Sequence, residues 1–208
     1  MKDPSICIIL GNGPSLRDVD NRLLDNFYTF GSNGIYEKYT PDFYVCINLL
    51  EAERRKTIIE SLETMTFVSI ESKVNCTIPL TSLGPEFSFD PYKSVCQGNT
   101  VTYVCLQLAY FFGFKTVYLL GVDHKYIHSG NPDEQIVWHG EDVNHFSSSY
   151  LSDGDKWNCP NLEISEYYYK LANDVFKRNK RKIINLTRGT ALTVFPIKDE
   201  NVLYNYSR

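Results

Sequence analysis

The stretch "CIILGNGPSL", Cys7 to Leu16, decides the reading of the fold. An apolar run stops abruptly at Gly11-Asn12-Gly13-Pro14-Ser15, and a more polar, helix-spaced pattern follows. A short apolar strand, a glycine turn and a helix are the opening of a parallel α/β sheet. Gly11 and Gly13 permit positive φ and close backbone approach. Pro14 suits the first helical position, where its missing N–H costs nothing. Free amides at such a helix start, with the positive end of the dipole behind them, are expected to bind an anion.

Two familiar phosphate loops are excluded by their decisive residues. A dinucleotide fingerprint needs a third glycine or alanine where Leu16 stands, and a carboxylate near the end of the second strand. That strand ends instead in Gly31-Ser32-Asn33-Gly34. A Walker loop needs Gly-Lys-Ser/Thr, and no lysine lies between Lys2 and Lys38.

Working outward, apolar runs alternate with helical patterns along the chain. Strands are predicted at Ser5–Leu10, Tyr28–Gly31, Phe43–Ile47, Thr66–Ile70, Thr116–Leu120 and Lys182–Asn185. Helices are predicted at Ser15–Leu24, Glu51–Leu62, Thr100–Phe112 and Leu162–Arg178. With no internal repeat or linker, residues 1–208 read as one α/β domain with a mostly parallel sheet. Two segments break the alternation. Thr77–Gln97, with Pro79, Pro85 and Pro91, reads as an ordered excursion or a short acceptor-side insertion. Residues 123–160, after the strand that leads to Asp123, hold all four histidines and both tryptophans. A connection this long is usually functional, and its aromatics favour an ordered lid.

A net charge of −4 argues against general nucleic-acid binding, which rests on phosphate neutralisation. The basic run Lys177–Lys182 reads as a solvated helix end, with a membrane-surface or anionic-acceptor role as its alternative. No apolar stretch reaches the length of a membrane span. The chain enters its first strand without a leader, and its six cysteines show no paired spacing. The expectation is a reduced cytoplasm, with peripheral association at the inner face of the membrane left open. Oligomeric state is not legible.

Ligands of open α/β sheets bind beyond the carboxyl ends of the strands. There this sequence places Gly11-Asn12-Gly13, then Ser32 and Asn33, then Asn48, then Gly98-Asn99-Thr100 before a helix, then Asp123. Each asparagine has an ordinary use as a turn or cap. Together, neutral donors and acceptors on a rigid sheet suit a base, a ribose and a phosphate. Metal signals are weaker: Asp18-Val19-Asp20 and Asp153-Gly154-Asp155 match a D-x-D string, and His124 and His128 have helical spacing without a further ligand. No resident metal or other cofactor is expected.

The "GNGPSL" turn, Asn33, Asn48 and "GNTVTYVCLQLAYFFGFKTVYLLGVDHKY" resemble the MptE-like family, which includes archaeal 6-hydroxymethylpterin pyrophosphokinases and proteins of bacterial surface-glycan loci. The same elements resemble bacterial sialyltransferases of glycosyltransferase family 42. The later stretch from "VNHFSSSYLSDGDKW" to "LTVFP" is similar to the glycan-locus branch. The resemblance implies a Rossmann-like three-layer fold and a CMP-sugar donor. It implies that the turn Gly11, Asn12, Gly13, Pro14 and Ser15 holds the nucleotide phosphate, with Asn33 near it and Asn48 near the donor sugar and phosphate. Ser32 joins the nucleotide site from the strand-end reading alone. It places Asn99-Thr100-Val101 where the sialyltransferases carry Thr-Ser-Gly to receive a donor carboxylate. It makes His145 the counterpart of their lid base, and Tyr126 and Tyr150 those of the tyrosines that steady the leaving phosphate.

The chemistry of the residues agrees. An imidazole suits deprotonation of an acceptor hydroxyl, and tyrosine hydroxyls with helix-start amides suit a leaving phosphate. The expected activity is transfer of a sialic-acid-like sugar from a CMP-activated donor to a glycan acceptor of lipopolysaccharide or capsule. One alternative is a pyrophosphokinase using ATP and magnesium, with Asp123 and Asp18 or Asp20 as metal carboxylates. Another is a nucleotide-binding module without turnover.

Overall fold

In the computed structural model, which describes residues 1–84 and 86–206, the chain forms a seven-stranded sheet with helices on both faces. Its strands are β1 (Ile6–Leu10), β2 (Tyr28–Ser32), β3 (Phe43–Cys46), β4 (Met65–Ser69), β5 (Ile78–Leu80), β6 (Thr116–Leu120) and β9 (Lys182–Asn185). All neighbours pair in parallel, in the order β5-β4-β3-β2-β1-β6-β9. A separate antiparallel hairpin joins β7 (Gln135–Val137) to β8 (Lys156–Asn158). The expected Rossmann-like three-layer α/β fold is therefore the one observed.

Two apolar layers follow from the alternation of side chains along buried parallel strands. Cys7 and Ile9 of β1 face the layer built with α4 (Val101–Phe111) and α5 (Leu162–Arg178). Ile6, Ile8 and Leu10 face the opposite layer with Leu24, Ala52 and Ile59. Those residues belong to α1 (Asn21–Leu24), α2 (Leu49–Arg54) and α3 (Lys56–Ser61). After β5 at one edge, α4 carries the chain across to β6 on the far side of β1. The strand order reverses between β1 and β6, which opens a crevice at their carboxyl ends.

Three local expectations change. The helix predicted over Ser15–Leu24 is a 3₁₀ turn (Pro14–Asp18) followed by the short α1. Val19 is extended, and the Asp20 carboxylate caps α1 by accepting from the Arg22 N–H. Asp and Asn favour such caps over helix interiors, and this segment carries three of them at positions 18, 20 and 21. The helix over Glu51–Leu62 begins earlier, at Leu49 under the Asn48 cap, and breaks at Arg55. Within Thr77–Gln97, Ile78–Leu80 adds the edge strand β5, where Pro79 withholds no bond that an inner strand would need. Pro85 lies outside the described residues.

Candidate functional site

The crevice between β1 and β6 contains a recess of about 110 Å³ that opens into a cleft of about 490 Å³. Gly11, Asn12, Gly13, Ser32 and Asn33 line the recess from the first two strand ends. Asn99, Thr100, Val101 and Thr102 line it from the start of α4. The segment 123–160 packs across this edge rather than hanging free. Phe146 donates its N–H to the Asn12 carbonyl at 2.9 Å, and Trp138, Tyr150 and Leu151 form a small core of their own. That segment contributes His124, Tyr126, His145 and Tyr150 to the recess. Asn48 lies further out, in the larger cleft, where its Oδ1 caps α2 by accepting from Leu50 and Glu51.

The glycine turn is built differently from the sequence expectation. Neither Gly11 nor Gly13 adopts positive φ; Gly13 sits at −69°. Both are required by close approach within the protein. A Cβ on Gly11 would lie 2.3 Å from the Gly121 carbonyl oxygen, and one on Gly13 would lie 2.0 Å from Asp123 Oδ2. Asp123 accepts from the Ser15 N–H at 3.2 Å and from the Ser15 hydroxyl at 2.7 Å. The anion at this helix start is thus the protein's own carboxylate. Pro14 and Ser15 do not line the recess, and Asp123 faces the turn, so a nucleotide phosphate there would have to displace a bonded side chain. Gly98 also lies off the recess. Its φ of +56° shapes the turn before α4, with Tyr103 packed where a Cβ would stand.

The second helix start remains open. α4 has no side-chain cap, and among the described residues the amides of Val101 and Thr102 donate to no protein acceptor. Around them stand groups whose polar atoms lack partners. Asn12 donates to Ser32, which leaves its Oδ1 buried and unpaired; Asn33 Oδ1 is likewise unpaired. Asn33 holds a left-handed backbone (φ 51°), fixed by its carbonyl accepting from the Tyr44 hydroxyl. His124 is buried against Tyr169, with Nε2 3.4 Å from Glu166 but not hydrogen-bonded to it. Burial lowers the His124 pKa, and Glu166 opposes that shift.

His145 is the most constrained group in the cleft. Nδ1 lies 2.7 Å from Asp142 Oδ2, and the ring stacks on Tyr150 at 3.7 Å, nearly parallel. Asp142 is itself buried and accepts from the N–H groups of Asn144 and Leu151, so its orientation is fixed. A carboxylate only accepts, so Nδ1 carries a proton, and in the neutral ring this leaves the lone pair on Nε2. Behind Tyr150 lies the Arg55 guanidinium, 4.5 Å from the ring centre. Arg55 donates to Glu51, to the Tyr36 hydroxyl and to the Tyr150 carbonyl.

The tyrosines remain neutral donors. Burial raises Tyr150 well above its ordinary value, with Glu51 adding to the shift. Burial also raises Tyr126, helped by Tyr169 and Asp123, although the Tyr126 ring is partly exposed. Tyr169 is pushed up to about 12 by burial, against hydrogen bonds from Thr100 and Thr102.

Sequence reasoning missed Asp142, Arg55 and Tyr169. The i, i+3 spacing of Asp142 and His145 was the one legible signal. The D-x-D strings serve turns. Asp20 caps α1 and pairs with Arg22, while Asp18 is exposed. Asp153 binds the Gly140 N–H and His139, and Asp155 accepts from Ser152. Among the described residues, no group of three or more His, Cys, Asp or Glu is arranged to hold a metal ion. His139 is exposed and lines neither the recess nor the cleft, and His128 stands edge-on to Trp157. In comparisons with known proteins, no family model matches the chain, and no curated protein or solved structure does either.

Proposed function

We propose that this protein transfers a sugar from a CMP-activated, sialic-acid-like donor to a hydroxyl of a surface glycan. The observation that carries the reading is the buried Asp142–His145 pair standing where the recess meets the cleft. A neutral imidazole whose tautomer is fixed by a carboxylate is a prepared general base. An acceptor hydroxyl beside Nε2 loses its proton as its oxygen attacks the sugar carbon. The bond from that carbon to the phosphate oxygen breaks, and the CMP leaves with the electron pair.

The start of α4 supplies the electrostatic part. The amides of Val101 and Thr102, with the dipole of an eleven-residue helix behind them, suit a donor carboxylate or the departing phosphate. Neutral hydroxyls of Tyr126 and Tyr150 are donors of the kind that steadies a leaving group. Asn12 and Asn33 present acceptors suited to ribose hydroxyls or an exocyclic amine. The six free thiols support a reducing compartment as part of the same proposal. The pyrophosphokinase alternative gains no support, since the side chain of Asp123 is engaged by Ser15 and the Asp18 string lies on the surface.

Calorimetric titration with CMP, CTP and ATP, with and without magnesium, tests the donor class. Preferential binding of the cytidine nucleotides without metal is expected; magnesium-dependent preference for ATP would sink the reading. In a transfer assay, His145→Ala is expected to lower turnover about 10²–10⁴-fold with CMP affinity nearly unchanged. Asp142→Asn should lower turnover by a smaller factor, because it disturbs the tautomer but leaves the ring. Wild-type turnover in both variants would remove histidine base catalysis.

A further inference from the structure

α4 and α5 both run antiparallel to the strands, so their carboxyl ends meet at the amino-terminal edge of the sheet, opposite the cleft. Two features converge there. The first is a run of cations: Lys177, Arg178, Lys180, Arg181 and Lys182, with Lys115 alongside through the Lys182 N–H to Lys115 carbonyl bond. Among the described residues none of these six forms a salt bridge, in a chain whose net charge is −4. The second is a set of exposed aromatics. Phe89 and Tyr92 are 56% and 59% exposed, and Phe111 is 38% exposed.

The two features are physically joined. Phe89 packs edge-on against Tyr110 at 5.4 Å, and the Arg181 guanidinium lies 3.9 Å over that same tyrosine ring. Tyr92 packs edge-on against Phe111 at 5.3 Å, one residue along α4. A solvated helix end explains cations, but it does not explain three aromatic rings left open beside them. Arg181 also donates to the Tyr110 carbonyl, which anchors the run to α4 and leaves the lysines and Arg178 as its free charges. Exposed aromatic rings flanked by cations without carboxylate partners are the composition of a surface that rests in the headgroup region of an anionic bilayer.

We propose that this face is a peripheral docking surface for anionic membranes, with Phe89, Tyr92 and Phe111 entering the interface and the basic run binding lipid phosphates. Docked in this way, the protein holds its cleft at the end of the sheet away from the lipid. The surface is independent of the activity proposed for the cleft.

Flotation of the intact protein with phosphatidylcholine vesicles, with and without phosphatidylglycerol, tests it. Binding is expected only with the anionic lipid and is expected to weaken with salt, as screening requires. The triple variant K177E/K180E/K182E should lose binding by at least about tenfold. The variant F89S/Y92S, with unchanged charge, should also lose about tenfold through removal of the inserted rings. Unaltered circular dichroism and thermal midpoints show that both variants are folded; should either melt early, single substitutions at Lys180 and Phe89 replace it. Absence of vesicle binding overturns the proposal. So does binding that ignores the aromatic substitutions, or tighter binding to single-stranded nucleic acid than to vesicles, either of which would make the face a general polyanion site.

Discussion

Replacing Gly13 by alanine tests the finding that the opening turn is closed by an internal anion. The added Cβ would stand 2.0 Å from Asp123 Oδ2 and 2.6 Å from its Cγ, with the Gly121 carbonyl oxygen at 2.8 Å. The carboxylate must rotate away and lose both bonds to Ser15, at a cost of about 2 kcal/mol for a half-buried, charge-assisted pair. Residual pressure on the Gly121 carbonyl adds about 1 kcal/mol. The sum, about 3 kcal/mol, corresponds to a drop in melting temperature of roughly 6–12 °C for a chain of this size.

Asp123→Ala loses the same two bonds without the clash, and is expected to cost about 2 kcal/mol. The double variant loses those bonds only once. It should therefore cost about 3 kcal/mol rather than the additive 5, a coupling of about 2 kcal/mol. Urea unfolding followed by circular dichroism, with the slopes compared across all four proteins, measures this. Strict additivity would show that Asp123 does not sit on the turn, and the assignment of that anion site would fall with it.

Two further outcomes concern the walls of the cleft. His124 has its pKa lowered from the ordinary 6.5 by burial, against the pull of Glu166. The unfolded chain then takes up this proton at higher pH than the folded one. The stability due to neutral His124 is complete above pH 6.5 and is lost as pH falls through and below it. His124→Gln should flatten that part of the stability curve; an unchanged slope between about pH 7 and about pH 5 contradicts the assignment. Arg55→Met leaves the buried Glu51 carboxylate with Arg54 alone and should cost about 3 kcal/mol in the same urea assay. A loss under about 1 kcal/mol would show that the guanidinium is not part of the support behind Tyr150.

The sheet was legible because its inner strands are short, largely apolar runs buried on both faces, and such runs bounded by turn residues have few other uses. The edge strand β5 was not, since three residues containing a proline carry no period. The break at Arg55 was hidden as well. Leu50, Ile58, Ile59 and Leu62 keep helical spacing across it, while the side chain that fixes the junction reaches Glu37 and Tyr36, residues distant in the sequence. The convergence of Asn12, Asn33, Asn99 and Thr100 followed from a topological rule and was accessible. Their hydrogen-bond states were not. Whether Asn12 faces a ligand or a neighbour depends on Ser32 being within 3.2 Å, which no spacing encodes.

The glycine turn shows why a motif does not by itself assign a ligand. Two helix starts face the same edge of this sheet, and the sequence made the first more conspicuous. Gly121, at φ +70°, turns the chain so that Asp123 fills that first site from within. Under the proposed function, the charge of the donor is then left to the start of α4, where Thr100 is the N-cap residue and Val101 the first helical residue. This admits a substitution that removes one donor and little else. Proline is well tolerated at the first helical position, and Thr100 already has the extended backbone (φ −157°, ψ 134°) that a following proline requires. Val101→Pro should keep its melting temperature within a few degrees while lowering affinity for CMP or its acidic-sugar conjugate about tenfold, the loss of one charge-assisted hydrogen bond. Calorimetry on the folded variant decides it. Affinity equal to the wild type would mean that the anion is held elsewhere along the cleft, and the open helix start would lose its role.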